Sequence, residues 1–272
     1  MDSFSRACQD FSLTISLKKT NVLGQGVEHP LAITINNYEL EVVHEFTYLV
    51  STITDSLSLD PEINRRIGRA ASTFARLTKR VWENRKLTTH TKVAVYRACV
   101  FSTLLYGSET WRLYSRQERR LNAFHLRSLR RILDITWTDR VTNNEVLARA
   151  QIPSLFTLLQ QRRLRWLGHV HCMSDGRIQK DLLYGELASG KRAQGQPHLR
   201  FKDVCKRDRK SLKTNVERWE DIASDRSHWR LELRRGLKRG EEKLRLAAEE
   251  KRTRRESSTK TTLEDSAFKC SR

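Results

Sequence analysis

The sequence predicts an α+β fold that is mostly α-helical. Residues 11–55 contain short segments with the two-residue alternation of β-strands, whereas from Asp60 onward apolar residues recur at the three- and four-residue steps of helices. Past Lys238 the chain is a run of Glu, Lys and Arg with few apolar residues, which predicts a solvated helix fraying into a disordered tail. We therefore expect a small β-rich piece, then a helical bundle, then a basic helical C-terminal region.

The predicted strands lie in three stretches. SLTISLKKTNVLGQG, residues 12–26, is typical of a strand, a basic turn and a second strand. In LAITINNYELEVV, residues 31–43, Asn36 and Asn37 are suited to a two-residue turn between strands. FTYLV, residues 46–50, is a nearly continuous apolar run, which favours a buried strand.

The first predicted helix begins at Asp60, a suitable N-cap, with Pro61 in the first helical position. A second helix, at about 89–106, is apolar on more than one side and should be central in the bundle. A third is expected over 115–133. The apolar stripe of the first helix consists of Ile63, Ile67, Ala70, Phe74, Leu77 and Val81. The core face of the third consists of Leu121, Phe124, Leu129 and Ile132 or Leu133.

Further helices are predicted toward the C-terminus. Thr142 or Asn143 caps a short helix that ends near Ala150, and Pro153 admits another. After a stretch rich in glycine and proline at 173–200, helices are expected at 199–212, near 216–224, and from Asp225 onward. The predicted segments are 1–58, 59–173, 174–238 and 239–272.

The formal net charge of +20 over 272 residues is larger than solubility requires. It indicates a polyanionic partner, either nucleic acid or an anionic membrane surface. We favour nucleic acid because the basic residues lie on predicted helices that also have an apolar face. No apolar run is long enough to span a membrane: the longest, residues 93–107, contains Arg97.

The cysteine pattern predicts neither a disulfide framework nor a metal site. Five widely spaced cysteines without a CxxC motif indicate reduced thiols in an intracellular, nuclear or cytoplasmic protein. His169, His171 and Cys172 lie too close together to share one helical face, so a zinc site is not expected. The sequence also contains no GxSxG motif and no phosphate-binding glycine loop.

Several stretches, read in order, resemble the C-terminal half of a non-LTR retrotransposon reverse transcriptase of the RTE/BovB-like clade. The resemblance covers about residues 9–235. It rests on TISLKKTNVL, FTYLVSTITDSLSLDPEINRRIGRA, YRACVFSTLLYGSETW, RRLRWLGHV and GKRAQGQPHLRFKDV.

The resemblance implies a right-hand polymerase whose palm holds two magnesium ions on aspartates. Lys19 matches a lysine that acts near the pyrophosphate leaving group, although it is also typical of a solvated turn. This sequence contains no Asp-Asp dipeptide and therefore no Y-x-D-D motif. We expect the fingers, most of the palm and the family's endonuclease to lie outside this chain. Magnesium would belong to that missing palm, so no cofactor is expected here.

The stretch FTYLVSTI resembles the primer-grip strand, in which Phe46, Tyr48 and Leu49 would hold the primer end. The family usually has Tyr-Leu-Gly, whereas this chain has Val50 at the glycine position. An ordinary buried strand is the alternative interpretation. Loss of the glycine removes a residue that tolerates positive φ or a close backbone approach.

The helices from 61 to about 172 resemble the polymerase thumb, which contacts the phosphates of an RNA or RNA–DNA template–primer duplex. Arginine suits this contact because its guanidinium group matches phosphate oxygens. The same arginines could instead form a solvated face or cover neighbouring helices with their stems. The predicted nucleic-acid-binding residues are Arg65, Arg66, Arg69, Arg119, Arg120, Arg127, Arg130, Arg131, Arg162, Arg163, Lys191, Arg192 and Arg200.

Three functional hypotheses follow. The first is a truncated reverse transcriptase that is inactive alone but retains basic nucleic-acid-binding regions. The second is a domesticated RNA- or protein-interaction module of the same origin. The third is a non-functional translated relic that folds poorly because its N-terminal strands lack partners.

Overall fold

The computed structural model describes residues 2–25, 32–185, 200–212 and 218–267. Short strands occur near the N-terminus and helices follow, so the predicted α+β, mostly α, class is confirmed. The strands are β1 (Thr34–Ile35), β2 (Tyr38–Glu39), β3 (Glu45–Tyr48) and β4 (Ser51–Thr54). The helices are α1 (Asp2–Asp10), α2 (Asp60–Arg76), α3 (Thr89–Val95), α4 (Ser102–Leu104), α5 (Ser115–Ile132), α6 (Asn143–Ala150), α7 (Leu155–His171), α8 (Ile178–Tyr184), α9 (Phe201–Ser211), α10 (Trp219–Ser224) and α11 (Arg226–Ala267).

The strands form two antiparallel hairpins, β1–β2 and β3–β4. The strand–turn–strand predicted at 12–26 is wrong for its described part. Residues 12–25 contain a 3₁₀ turn at Leu17–Lys19 and a single bridge from Val22 to Val42. Alternation alone does not make a strand, because its backbone needs a neighbouring strand to pair with.

The two hairpin turns differ in how well their residues suit them. Asn36 and Asn37 form the predicted turn, with φ of 51° and 63°. Leu49 and Val50 form the second, with φ of 45° and 71°. The expectation of one buried strand through 46–50 is therefore wrong, since the chain reverses after Tyr48 and the strand before it is exposed.

The helices from α2 to the start of α7 enclose the larger hydrophobic core. The predicted stripe of α2 points inward, with Ile63, Ala70 and Phe74 buried. The predicted second helix spans α3 and α4, which are joined by a π-helical stretch at Tyr96–Phe101. This segment is central, as predicted, because its side chains are buried on several sides. Those residues are Val93, Tyr96, Val100, Phe101, Leu104 and Leu105.

Helix α7 belongs to two cores. Leu155 and Leu159, in its first half, lie in the larger core. Leu164 and Leu167, in its second half, pack with α9, α10 and the start of α11 in a smaller core. The predicted boundary at residue 173 lies just after the end of α7. The second half of α7, however, already packs against helices of the next predicted segment.

Helix α11 continues well beyond the smaller core. It is described to Ala267, so a helix extends through most of the segment expected to be a disordered tail. Arg245 forms ion pairs with Glu242 at 2.6 Å and with Glu249 at 2.7 Å. Such pairs, one turn apart, support a helix whose surface is exposed.

Candidate nucleic-acid interface

Helix α5 presents a row of arginines because its other face is in the core. The helix is capped at Tyr114, whose backbone N–H donates to Gln117 Oε1 at 3.0 Å. Leu121, Leu129 and Ile132 are buried, as predicted. The helical period consequently places the intervening arginines on the outer face. These are Arg116, Arg119, Arg120, Arg127, Arg130 and Arg131.

Three of these arginines line one cleft. The cleft has a volume of about 650 Å³ and is bordered by Arg127, Arg130, Arg131, Ile135 and Asn143, with no acidic lining residue among the described ones. We call it the α5 cleft. Its apolar floor and concentrated positive charge provide a site where phosphate oxygens could accept hydrogen bonds.

The arginines of the α5 cleft are held to different extents. Arg130 Nη2 donates to Asn143 Oδ1 at 2.8 Å and to the Val141 carbonyl at 3.1 Å. Arg131 lies 3.6 Å from Glu83, an exposed pair that solvent screens. Arg127 is exposed and has no hydrogen-bond or ion-pair partner in the described chain. The cleft thus combines one oriented guanidinium group with one that is free.

Arg119 and Arg120 lie one to two turns before the cleft. Arg119 is exposed, and its only acceptor among the described residues is the Ser115 carbonyl at 3.2 Å. Arg120 contacts Asp60 at 3.4 Å and also Asn64. Burial raises the pKa of Asp60, but hydrogen bonds from Gln117 and Arg116 and the charge of Arg116 outweigh it, so the pKa is lowered. Asp60 therefore stays ionised and neutralises part of the positive charge on this face.

Arg65 and Arg69, on α2, face the β3–β4 hairpin. Arg65 pairs with Glu45 and donates to Thr47 Oγ1 at 2.7 Å. Arg69 donates to the Val50 carbonyl at 3.0 Å. Both are half-buried, so each could offer a phosphate only its remaining donors.

The structure removes Arg66 and Arg163 from the predicted interface. Arg66 is buried and donates to Glu62 Oε1 at 2.6 Å and to the Val50 carbonyl at 2.7 Å. Arg163 is buried and donates to Asp208 Oδ2 at 2.8 Å. Neither side chain can reach a phosphate outside, because each neutralises a buried carboxylate that would otherwise be unpaired.

Arg162 and Arg200 keep some access to solvent, although both have acidic partners. Arg162 donates to Glu109 at 3.0 Å and to the Leu105 carbonyl at 2.9 Å. Arg200 contacts Asp203 at 2.9 Å at the start of α9. Lys191 and Arg192 lie outside the described residues.

The residues assigned to polymerase features lie apart from the α5 cleft. Lys19 is exposed in the 3₁₀ turn. Phe46, Tyr48 and Leu49 are exposed on the β3–β4 hairpin and its turn, with Leu49 at 70% exposure. None of the four lines the α5 cleft.

An exposed aromatic residue was not predicted from the sequence. Trp137 is 88% exposed and lies two residues after Ile135, which borders the α5 cleft. It sits in a turn where Asp139 Oδ2 accepts from the backbone N–H of Thr136 at 2.6 Å. Its setting in TWTDR, between turn-forming residues, is the sequence signal that could have identified it. Such a ring can stack on a base.

The histidines and cysteine of RRLRWLGHVHC make other contacts. His171 Nδ1 lies 2.8 Å from Tyr184 Oη, and Cys172 donates to the Ala223 carbonyl at 3.1 Å. Within the described ranges no group of three or more potential metal ligands is found. Those ranges also contain no helix of the length and apolar character that a membrane crossing needs.

The chain is similar to F52C9.6 of Caenorhabditis elegans, which is named as an uncharacterized transposon-derived protein. The two are 26% identical over 241 residues, covering 84% of this chain and 85% of the relative. No family model matches the chain, and no solved structure matches it. The similarity to the transposon-derived protein thus spans most of both chains.

Proposed function

We propose that this chain is transposon-derived and represents the C-terminal part of a non-LTR reverse transcriptase that binds nucleic acid but does not polymerise alone. The similarity to a transposon-derived relative over most of both chains supports the origin. The ordered stretches that resemble the RTE/BovB-like clade support the more specific assignment. The proposed ligand is an RNA or RNA–DNA template–primer duplex.

The α5 cleft carries the binding part of the proposal. No acidic residue lines it among the described residues, although Arg131 lies 3.6 Å from Glu83. Arg119 extends the basic face one to two turns toward the start of α5. A duplex laid on this face would place successive phosphates against one row of guanidinium groups. Trp137 would stack on an unpaired base beside the duplex end.

Binding is tested with a labelled RNA–DNA hybrid bearing a recessed primer, using fluorescence anisotropy at low salt. R119Q/R127Q/R130Q should weaken binding by about tenfold or more, because three charged hydrogen-bond donors are removed. K202Q/K206Q/K210Q, which removes three exposed charges from α9, should cause a much smaller loss. Equal losses in the two variants would overturn the assignment to α5.

Inactivity is a separate test. The purified chain, supplied with magnesium, deoxynucleotides and a primed RNA template, should add no nucleotide, because it lacks an Asp-Asp pair to hold the metal ions. Primer extension above a protein-free control would contradict the inactivity and leave the binding proposal standing.

A further inference from the structure

A second basic cleft lies between α7 and α11, and the predicted nucleic-acid-binding residues leave it out. It has a volume of about 360 Å³. No acidic residue lines it among the described residues. It shares no lining residue with the α5 cleft. The side chains that define it are Arg165, His169, Arg226, Trp229, Arg230 and Arg234.

The four arginines of this cleft carry uncompensated charge. In the described part of the chain none of them forms an ion pair or hydrogen bond, and all four are exposed. The nearby Asp225 is engaged elsewhere, since its Oδ1 accepts from the backbone N–H groups of Ser227 and His228 at 2.8 and 3.2 Å. The charges are therefore available to an anion from outside.

The pKa of Arg165 is lowered, in part by the charges of the arginines around it. Partial burial lowers its pKa first, and the like charges of Arg234, Arg230 and Arg162 lower it further. Charges close enough to act on one another in this way concentrate positive potential in a small volume. A bound anion would relieve this repulsion.

The floor of the cleft is fixed by close helix packing. Trp229 lies against Gly168 and donates from Nε1 to the Leu164 carbonyl at 3.1 Å. A Cβ on Gly168 would lie 2.6 Å from Trp229 Cδ1, so only glycine allows this approach. The arginines of α7 and α11 are thus presented from a rigid base.

The cleft continues into a neighbouring one. A space of about 530 Å³ shares Arg165 and His169 and extends to Arg97 and Trp166. Its acidic lining residue, Glu109, is paired with Arg162. The half-buried Trp166 ring lies 5.3 Å from the His169 ring. The result is a groove with charge along its length and an aromatic surface at one side.

We propose that this groove, defined as the two joined clefts along α7, binds the sugar–phosphate backbone of a single nucleic-acid strand. Arg226, Arg230 and Arg234 are successive residues of one helical face, about 6 Å apart along the axis. That repeat is of the same order as the distance between phosphates of a strand. Trp166 provides a surface on which a base can stack.

The groove favours a strand over a free phosphate. Its positive charges extend over several turns of two helices, whereas a single phosphate needs only one concentrated cluster. A strand is also favoured over a duplex by the presence of an aromatic ring beside the charges, because duplex bases are already stacked. The inference does not depend on duplex binding by the α5 cleft.

The test measures anisotropy of a labelled single-stranded 15-nucleotide RNA at low salt, using the full chain. R165Q/R230Q/R234Q should weaken binding by about tenfold or more. R119Q/R127Q/R130Q and K202Q/K206Q/K210Q should each have a clearly smaller effect. The recessed RNA–DNA hybrid serves as a second ligand, and its affinity should depend on the α5 arginines more than on the groove.

Three outcomes would overturn the inference. One is no binding of the single strand by the unmodified chain. Another is a groove variant no weaker than the α9 control. The third is competition by inorganic triphosphate as effective, per phosphate, as that of unlabelled RNA, which would assign the cleft to free polyphosphate. Thermal unfolding of R165Q/R230Q/R234Q should match that of the unmodified chain, because these three arginines have no internal partner among the described residues.

Discussion

At the residue scale, Val50 is the clearest case of a side chain in an unfavourable conformation. It is β-branched, and its φ of 71° lies in the left-handed region that glycine and asparagine tolerate best. The polymerases that this stretch of the sequence resembles usually have glycine at this position. The structure gives a physical reason for that preference, because the residue occupies a two-residue hairpin turn.

We expect Val50→Gly to raise the free energy of unfolding by about 1 kcal/mol, since the relief of strain exceeds the entropy that glycine adds to the unfolded chain. Chemical denaturation measures the change. Ile53→Gly is the matched control: it alters another exposed β-branched residue of the same hairpin, within strand β4, and should destabilise. A Val50→Gly variant as destabilised as the control would contradict the turn geometry.

Buried arginines show a limit of sequence interpretation at the same scale. Arg66 has its partner Glu62 one turn away, so a local signal existed. Arg163 has its partner Asp208 on a different helix, and no spacing rule predicts that contact. The sequence therefore could not separate these two arginines from half-buried neighbours such as Arg65 and Arg162.

Arg163→Met should lower the free energy of unfolding by about 3 kcal/mol or more, because Asp208 would remain buried without its cation. The double variant R163M/D208L should recover much of the loss. Arg127→Met, at an exposed site, should change stability by about 0.5 kcal/mol or less. An Arg163→Met variant as stable as Arg127→Met would return Arg163 to the set of possible phosphate contacts.

At the element scale, the helices were predictable and the N-terminal strands largely were not. Helical periodicity is local, so α2, α5 and α7 could be placed from apolar spacing and their entry residues. A strand depends on a distant partner, and the alternation at 12–17 found none in the described chain. Periodicity also could not reveal that the two halves of α7 pack in different cores.

The contact between α7 and α11 gives a direct test of that packing. Gly168→Ala should destabilise by about 1–3 kcal/mol, because the added Cβ overlaps the Trp229 ring. Gly68→Ala should instead stabilise by up to about 1 kcal/mol, since Gly68 lies within α2 with open space at its Cβ position. Thermal unfolding measures both. Equal effects of the two substitutions would show that the helices are not packed at Gly168.

At the scale of the whole molecule, only some of the basic residues behind the net charge of +20 are available to an anion from outside. Some arginines are buried, others pair with acids, and two basic clefts remain open. The sequence indicated a polyanionic partner from composition alone. The folded chain was needed to separate the open clefts from arginines that stabilise the interior.

The salt dependence of hybrid binding is the decisive measurement for a nucleic-acid interface on α5, because phosphate contacts release counterions. The affinity for the recessed RNA–DNA hybrid is measured from 50 to 200 mM salt for the unmodified chain and for R119Q/R127Q/R130Q. We predict a steep fall for the unmodified chain and a log–log slope shallower by about 2 to 3 for the variant. The same slope in both proteins, or no binding at the lowest salt, would contradict a nucleic-acid interface on α5.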